Sequence, residues 1–172
     1  MGGSGGYGRF PSGERLAALE RQAKEALGSA AQPSRRSVFL SFASEDLNLV
    51  NLLRGQAQNE NSELDFIDRS LRVPFDSDRA EYIRRGIRER IRQASVTICV
   101  VTDSTVHSKW VDWEIRESLR MGKGVVAMHP GAEKPSSVPR ALIEHNIPIV
   151  PWHQSDLMVA IDLAASNRER QP

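Results

Sequence analysis

The sequence predicts an α/β domain: a five-stranded, mainly parallel sheet with helices on both faces, preceded by one extra helix. Three observations predict it. From Arg36 onward, short apolar or β-branched runs alternate five times with amphipathic helical stretches, the pattern of successive βα units. The third run, over 95–101, is apolar on both faces, as a central parallel strand must be. The fifth, over 147–152, contains Pro148 and Pro151, and each proline removes a ladder donor, which confines that strand to an edge.

The elements follow in order. Residues 1–8 are a Gly/Ser tract that gains little from ordering. Its G-x-G-x-x-G and G-x-S-x-G spellings lack the preceding strand that gives such motifs meaning. A helix is expected over 12–27, with Leu16, Leu19, Ala23 and Leu27 on one face and Gly28 as its stop. A small polar linker with Pro33 follows. The organisation expected is thus a lead, helix and linker over 1–35, a domain over 36–168 and a tail over 169–172.

Within the domain, 37–42 reads as strand one. Ser44 is expected to cap a helix carrying Leu47, Val50, Leu53 and Ala57. Strand two is expected over 64–67, followed by a polar loop over 68–77 containing Pro74. The next helix aligns Ala80, Ile83, Ile87, Ile91 and Ala94 on one face. After strand three, 103–107 reads as a loop. Ser108 caps a helix that stops at Gly122. Strand four follows over 125–128, then a short helix opened by 137–139. Ser155 is expected to cap the last helix, with Leu157, Ile161 and Ala164 apolar.

Composition narrows the function. The chain has 172 residues, 40% of them hydrophobic and 26% charged, enough for one self-sufficient core. Lys and Arg number 23 against 22 Asp and Glu, a net charge of +1. That argues against nucleic acid or an anionic membrane as the defining partner. One cysteine excludes an intrachain disulfide framework and a thiolate zinc cluster. No apolar run has transmembrane length, the start lacks a signal-type apolar region, and Gly6 breaks the myristoylation pattern. The expectation is a soluble, cytoplasmic protein.

Ligands of parallel sheets bind beyond the carboxyl ends of the strands, so chemistry is sought in the loops gathered there. Glu114 lies in the second turn of the helix capped by Ser108, four residues after Trp110 and on the same face. A carboxylate beside aromatic rings at such an edge suits acid–base or oxocarbenium chemistry. An early-helix glutamate favoured by the macrodipole, or paired with Lys or Arg, is the structural alternative. The arginines over 79–92 include a stripe of Arg84, Arg88 and Arg92. It reads as a solvated face supported by Glu81–Arg85 and Arg85–Glu89 pairs, or as a docking surface. The four histidines are scattered without metal spacing. Cys99 reads as a buried residue away from the strand-end site.

Three segments resemble the TIR family: VFLSFASED over 38–46, FIDRS over 66–70, and SKWVDWEI over 108–115 followed by GKGVV. They occur in family order, and the resemblance covers about residues 36–152. It is nearest to the bacterial TIR-like subgroup that includes the ThsB sensor of Thoeris anti-phage systems. The resemblance implies a flavodoxin-like TIR fold and an NAD+-consuming enzyme. Glu114 would be the catalytic carboxylate that contacts the nicotinamide ribose as the N-glycosidic bond breaks. The product would be ADP-ribose or a cyclic isomer that signals to a downstream effector. NAD+ would be the substrate, with no separate cofactor and no metal. Phe42 would stack on a base, and Trp110 and Trp113 would wall the pocket or pack helix to sheet. Asp46, Asp68, Ser70 and Ser104 lie on matching loops. Self-assembly through TIR–TIR contacts is also implied, with the 68–77 loop and the arginine helix as candidate surfaces. That loop departs from the family in having Pro and no Gly. A non-catalytic adaptor acting by self-association is the alternative, and a receiver-like or flavodoxin-like binder is a third reading.

Overall fold

A computed structural model of the chain describes residues 35–70 and 80–169. The chain divides into two units, Met1–Ser34 and Arg35–Pro172, and the described residues all belong to the second. The expected N-terminal helix and most of the 68–77 loop lie outside the described residues.

Five strands form the sheet: β1 (Arg36–Ser41), β2 (Phe66–Asp68), β3 (Val96–Val100), β4 (Gly124–His129) and β5 (Ile149–Pro151). Their order is β2-β1-β3-β4-β5, and every pairing is parallel. The helices are α1 (Leu47–Gln58), α2 (Ala80–Gln93), α3 (Asp103–Val106), α4 (Lys109–Arg120), α5 (Arg140–Glu144) and α6 (Gln154–Glu169).

Alternation along the strands supplies two cores, because successive side chains point to opposite faces. Val38, Leu40, Ile98, Val100, Val126 and Met128 face α1 and α6 and pack with Val50, Leu53, Leu157 and Ile161. On the other face Phe39 meets Ile83, Ile87 and Ile91 of α2. Beside it, Cys99, Val125 and Ala127 meet Val111 and Ile115 of α4 and Leu142 of α5. β3 is central and wholly buried, and the proline-bearing β5 is at an edge, as its sequence requires.

Several local expectations are corrected. Ser44 does not cap a helix. The chain leaves β1 through a 3₁₀ turn, Ser44–Asp46, closed by the Asp46 N–H on the Ala43 carbonyl at 2.9 Å, and α1 starts after it. The 103–107 segment is not a loop but the one-turn helix α3. There the Thr105 hydroxyl accepts from the Thr102 N–H and donates to the Thr102 carbonyl, both at 2.8 Å, which fastens the turn locally. Ser155 lies inside α6, which begins at Gln154. The buried series on that helix is Leu157, Ile161 and Ala165, with Ala164 only partly buried. Ser108 does cap α4, accepting from the Val111 N–H at 3.3 Å. Gly122 ends that segment at φ +67°, where a side chain is disfavoured.

β4 starts at Gly124 because α6 crosses it closely. A Cβ there would sit 2.6 Å from the Ala164 carbonyl carbon and closer still to its oxygen. Gly86, on α2, has open space around it. Gly124→Ala is therefore expected to destabilise the domain by about 2 kcal/mol or more. Gly86→Ala should stabilise it by roughly 0.5 to 1 kcal/mol. Chemical denaturation of the two variants checks the opposite signs.

Candidate active site

The strand order places the site. After β1 the chain moves outward to β2, then returns across β1 to β3. The loops leaving β1 and β3 therefore diverge and open a crevice, the topological switch point where parallel sheets bind ligands. A cavity of about 500 Å³ lies there, lined by Phe42, Glu45, Ser104, His107, Trp110 and Glu114 among others.

Glu114 projects from α4 toward the end of β1. It is 9% exposed, and its Oε2 accepts a 2.5 Å hydrogen bond from the Ser41 hydroxyl, itself fully buried. Burial pushes its carboxyl up to about 8, against the pull of the Ser41 hydrogen bond. At neutral pH the free protein therefore holds Glu114 protonated in a polar notch of an otherwise apolar layer. The same face of the sheet anchors α4 a turn later. The Thr97 and Ser118 hydroxyls are 2.7 Å apart, and Ser118 donates to the Glu114 carbonyl at 2.8 Å.

Glu117, three residues on, has the opposite environment. Its carboxylate accepts from Arg120 at 2.6 Å and from Arg88 at 3.1 Å. The Arg120 hydrogen bond is the main influence that holds it below the usual carboxylate range. Glu117 thus joins α4 to α2 as an ionised group, while Glu114 stays neutral.

The other predicted residues separate into two groups. Phe42, Ser104 and Trp110 line the cavity with Glu114. Trp113 packs instead on the Phe39–Ile83–Ile87 cluster, edge-to-face with Trp110 at 5.8 Å. Arg84 lies 5.7 Å from both ring centres, and Arg88 lies 5.6 Å from that of Trp113. Asp46 accepts from the Thr102 hydroxyl at 2.6 Å and so straps the β1 loop to the β3 loop. Asp68 and Ser70 hold Arg54 instead, with Nε to Asp68 at 2.6 Å and Nη2 to Ser70 at 2.9 Å. The Arg54 guanidinium stands 5.7 Å over the Phe42 ring. These two residues therefore support Phe42 rather than line the cavity.

Sequence reading missed Ser41, Glu45, His107 and Arg54. His107 lies in the strand-end loop expected over 102–108, and Glu45 follows directly on the one expected over 43–44. Ser41 had one signal, a hydroxyl at the last position of an apolar strand that ends at the ligand edge. The arginine stripe is also corrected. Glu81 pairs with Arg88 at 3.1 Å and Arg84 at 3.9 Å, and Glu89 pairs with Arg92; the expected Arg85 pairs do not supply this support. Cys99 is buried as expected, but it is not remote from the site. It sits opposite Ser41 in the β1–β3 register. Burial, and then Glu114 once it is ionised, pushes its thiol up, so it stays a protonated packing residue. Among the described residues no group of three His, Cys, Asp or Glu could hold a metal, and no helix is long and apolar enough to cross a membrane.

The family model described as the TIR-like domain of Thoeris protein ThsB matches residues 39–135. The chain belongs to this ThsB-type TIR-like family. The match runs from within β1 past the end of β4 and so includes Ser41, Phe42, Trp110 and Glu114. Two solved structures are similar to this ThsB-type domain. One is the TIR domain of the Toll-related receptor TRR-2 from Hydra magnipapillata, at 16% identity and a TM-score of 0.48, covering 78% of this chain and 98% of that one. The other is the CMP N-glycosidase BcmB of Clostridium botulinum, at 16% identity and a TM-score of 0.47, covering 74% and 99%. Comparison with curated proteins gives no match.

The raised carboxyl has a consequence for stability. Folded Glu114 keeps its proton between its ordinary 4.5 and about 8, where the unfolded chain has released it. Its contribution is therefore complete below about pH 4.5 and is lost as pH rises toward 8. Glu114→Gln should be more stable than the parent at neutral pH, by a margin on the order of 3 kcal/mol that widens up to about pH 8 and vanishes in acid. Urea unfolding at several pH values measures it.

Proposed function

We propose that this ThsB-type TIR-like domain cleaves the nicotinamide N-glycosidic bond of NAD+ in anti-phage signalling. The observation that carries the reading is the buried Glu114 at the cavity wall, hydrogen-bonded to Ser41 beside the sheet's switch point. Nicotinamide bound to ribose is a cation. Placed beside Glu114, it favours the carboxylate and drives out the proton that burial retains. The carboxylate then stands in a poorly screened site where positive charge develops on the ribose as the bond breaks. The bonding pair leaves with nicotinamide, which departs neutral. The anomeric carbon is captured by water, which gives up a proton and yields ADP-ribose. Alternatively a nucleophile of the same molecule captures it, gives up any proton it carries, and yields a cyclic isomer. Phe42 offers a ring face for a base, backed by Arg54, and Trp110 walls the cavity beside Glu114.

Formation of a cyclic ADP-ribose isomer, a downstream effector that reads it, TIR–TIR self-assembly and a cytoplasmic setting belong to the same proposal. A purely adaptor role gains little from the arginine helix, since Arg84, Arg88 and Arg92 are engaged within the chain.

Incubation with NAD+, followed by chromatography and mass spectrometry, is expected to show nicotinamide with ADP-ribose or a cyclic isomer. Glu114→Gln should lower turnover by at least about 100-fold without loss of fold. Phe42→Ala should raise KM about tenfold, the size of one lost stacking contact. In the parent, kcat/KM should rise with pH and level off near 8, as the free carboxyl ionises. Intact NAD+ after incubation with the assembled protein would refute the reading.

A further inference from the structure

We infer that Ser41 is a positioning residue that fixes Glu114 through Oε2 and leaves Oε1 to the substrate. The inference deepens the proposed function and rests on it for the identity of that substrate.

The geometry divides the carboxyl group between two tasks. Oε2 accepts from the Ser41 hydroxyl at 2.5 Å. Among the described residues no protein group donates to Oε1, although Glu114 lines the cavity. Ser41 is fully buried and does not line the cavity, so its hydroxyl serves Glu114 and not the ligand. Once Glu114 ionises this hydrogen bond becomes charge-assisted, which favours the ionised form and restricts the carboxyl torsion. Without it, the substrate alone would have to ionise and orient a carboxyl sunk in an apolar layer.

Neighbouring charged groups do not replace that hydroxyl. From β3 the nearest ionisable group is Cys99, whose thiol burial keeps protonated. From α2, Arg84 lies over Trp110 and Trp113, and Arg88 is bound to Glu117 and Glu81. From α5, Arg140 and Glu144 pair with each other, and Glu144 pairs with Arg116. β4 contributes His129 at its end, and α4 itself contributes Glu117, which Arg88 and Arg120 occupy. The cavity wall adds Glu45 and His107. Among the described residues, Ser41 is the one that donates a hydrogen bond to the Glu114 carboxyl.

The test reads Glu114 directly. Carbon-13 NMR of glutamate side-chain carboxyls, assigned with Glu114→Gln, follows its titration in the ligand-free full chain. Ser41→Ala and Ser41→Cys should each move the midpoint up by about one to two pH units. Ser41→Thr, which keeps the hydroxyl, should return it toward the parent value. With NAD+, Ser41→Ala should lose about tenfold or more in kcat/KM at pH 7, and the deficit should close at higher pH, where solvent supplies the carboxylate. A loss of packing alone would not close with pH. An unmoved midpoint in the Ala and Cys variants overturns the inference, as does a Thr variant that shifts like Ala. The titration needs no NAD+. A shifted midpoint in a protein that leaves NAD+ intact would refute the function while Ser41's hold on Glu114 stood.

Discussion

The structure turns on one costly placement, a carboxyl group buried between β1 and α4. A lone carboxylate in an apolar layer is strongly disfavoured, and the usual escapes are a cation or a retained proton. The fold supplies no cation to Glu114 from the described residues. It supplies the Ser41 hydroxyl and leaves the proton in place. The rest of the layer conforms to this. The sheet face under α4 is hydroxyl-bearing at Ser41 and Thr97 where the buried strand residues of the opposite face are apolar. Glu117, on the same helix and one turn away, received the other solution: two arginines and a stable charge. One glutamate ties helices together, and its neighbour is kept in reserve at the cavity.

The second constraint is the reversal of strand order around β1. It opens the crevice, and hydrogen bonds beside it tie the bordering segments together. Asp46 straps the loops after β1 and β3. Arg54 gathers Asp68, Ser70 and Asn51 and presents its face to Phe42. A stability-neutral carboxyl at this position would be simpler to fold.

Much of this was legible in the sequence, because alternation and punctuation are local. The five βα units, the edge position of the proline-bearing strand and the stop at Gly122 all follow from residues adjacent in the chain. Helix starts are less legible: a 3₁₀ turn begins at Ser44, a one-turn helix fills 103–106, and the last helix begins one residue before Ser155. Glu114, Phe42, Ser104 and Trp110 could be placed at one edge from motif and strand-end position. Ser41 could not be assigned its role, since its partner is 73 residues away and a hydroxyl closing an apolar strand does not say what it binds. Arg54 looks like any solvated helix arginine until β2 is seen beside α1. The nearness of Cys99 to the site depends on the β1–β3 register, which no local pattern encodes.

The central claim is that substrate charge ionises a glutamic acid that the free fold keeps neutral. Calorimetric binding of a non-hydrolysable carbocyclic NAD+ analogue at pH 7, repeated in buffers of different ionisation enthalpy, counts the protons exchanged. The account predicts release of about one proton per analogue bound by the parent and none by Glu114→Gln. Binding without proton release, or equal release from both proteins, would contradict it.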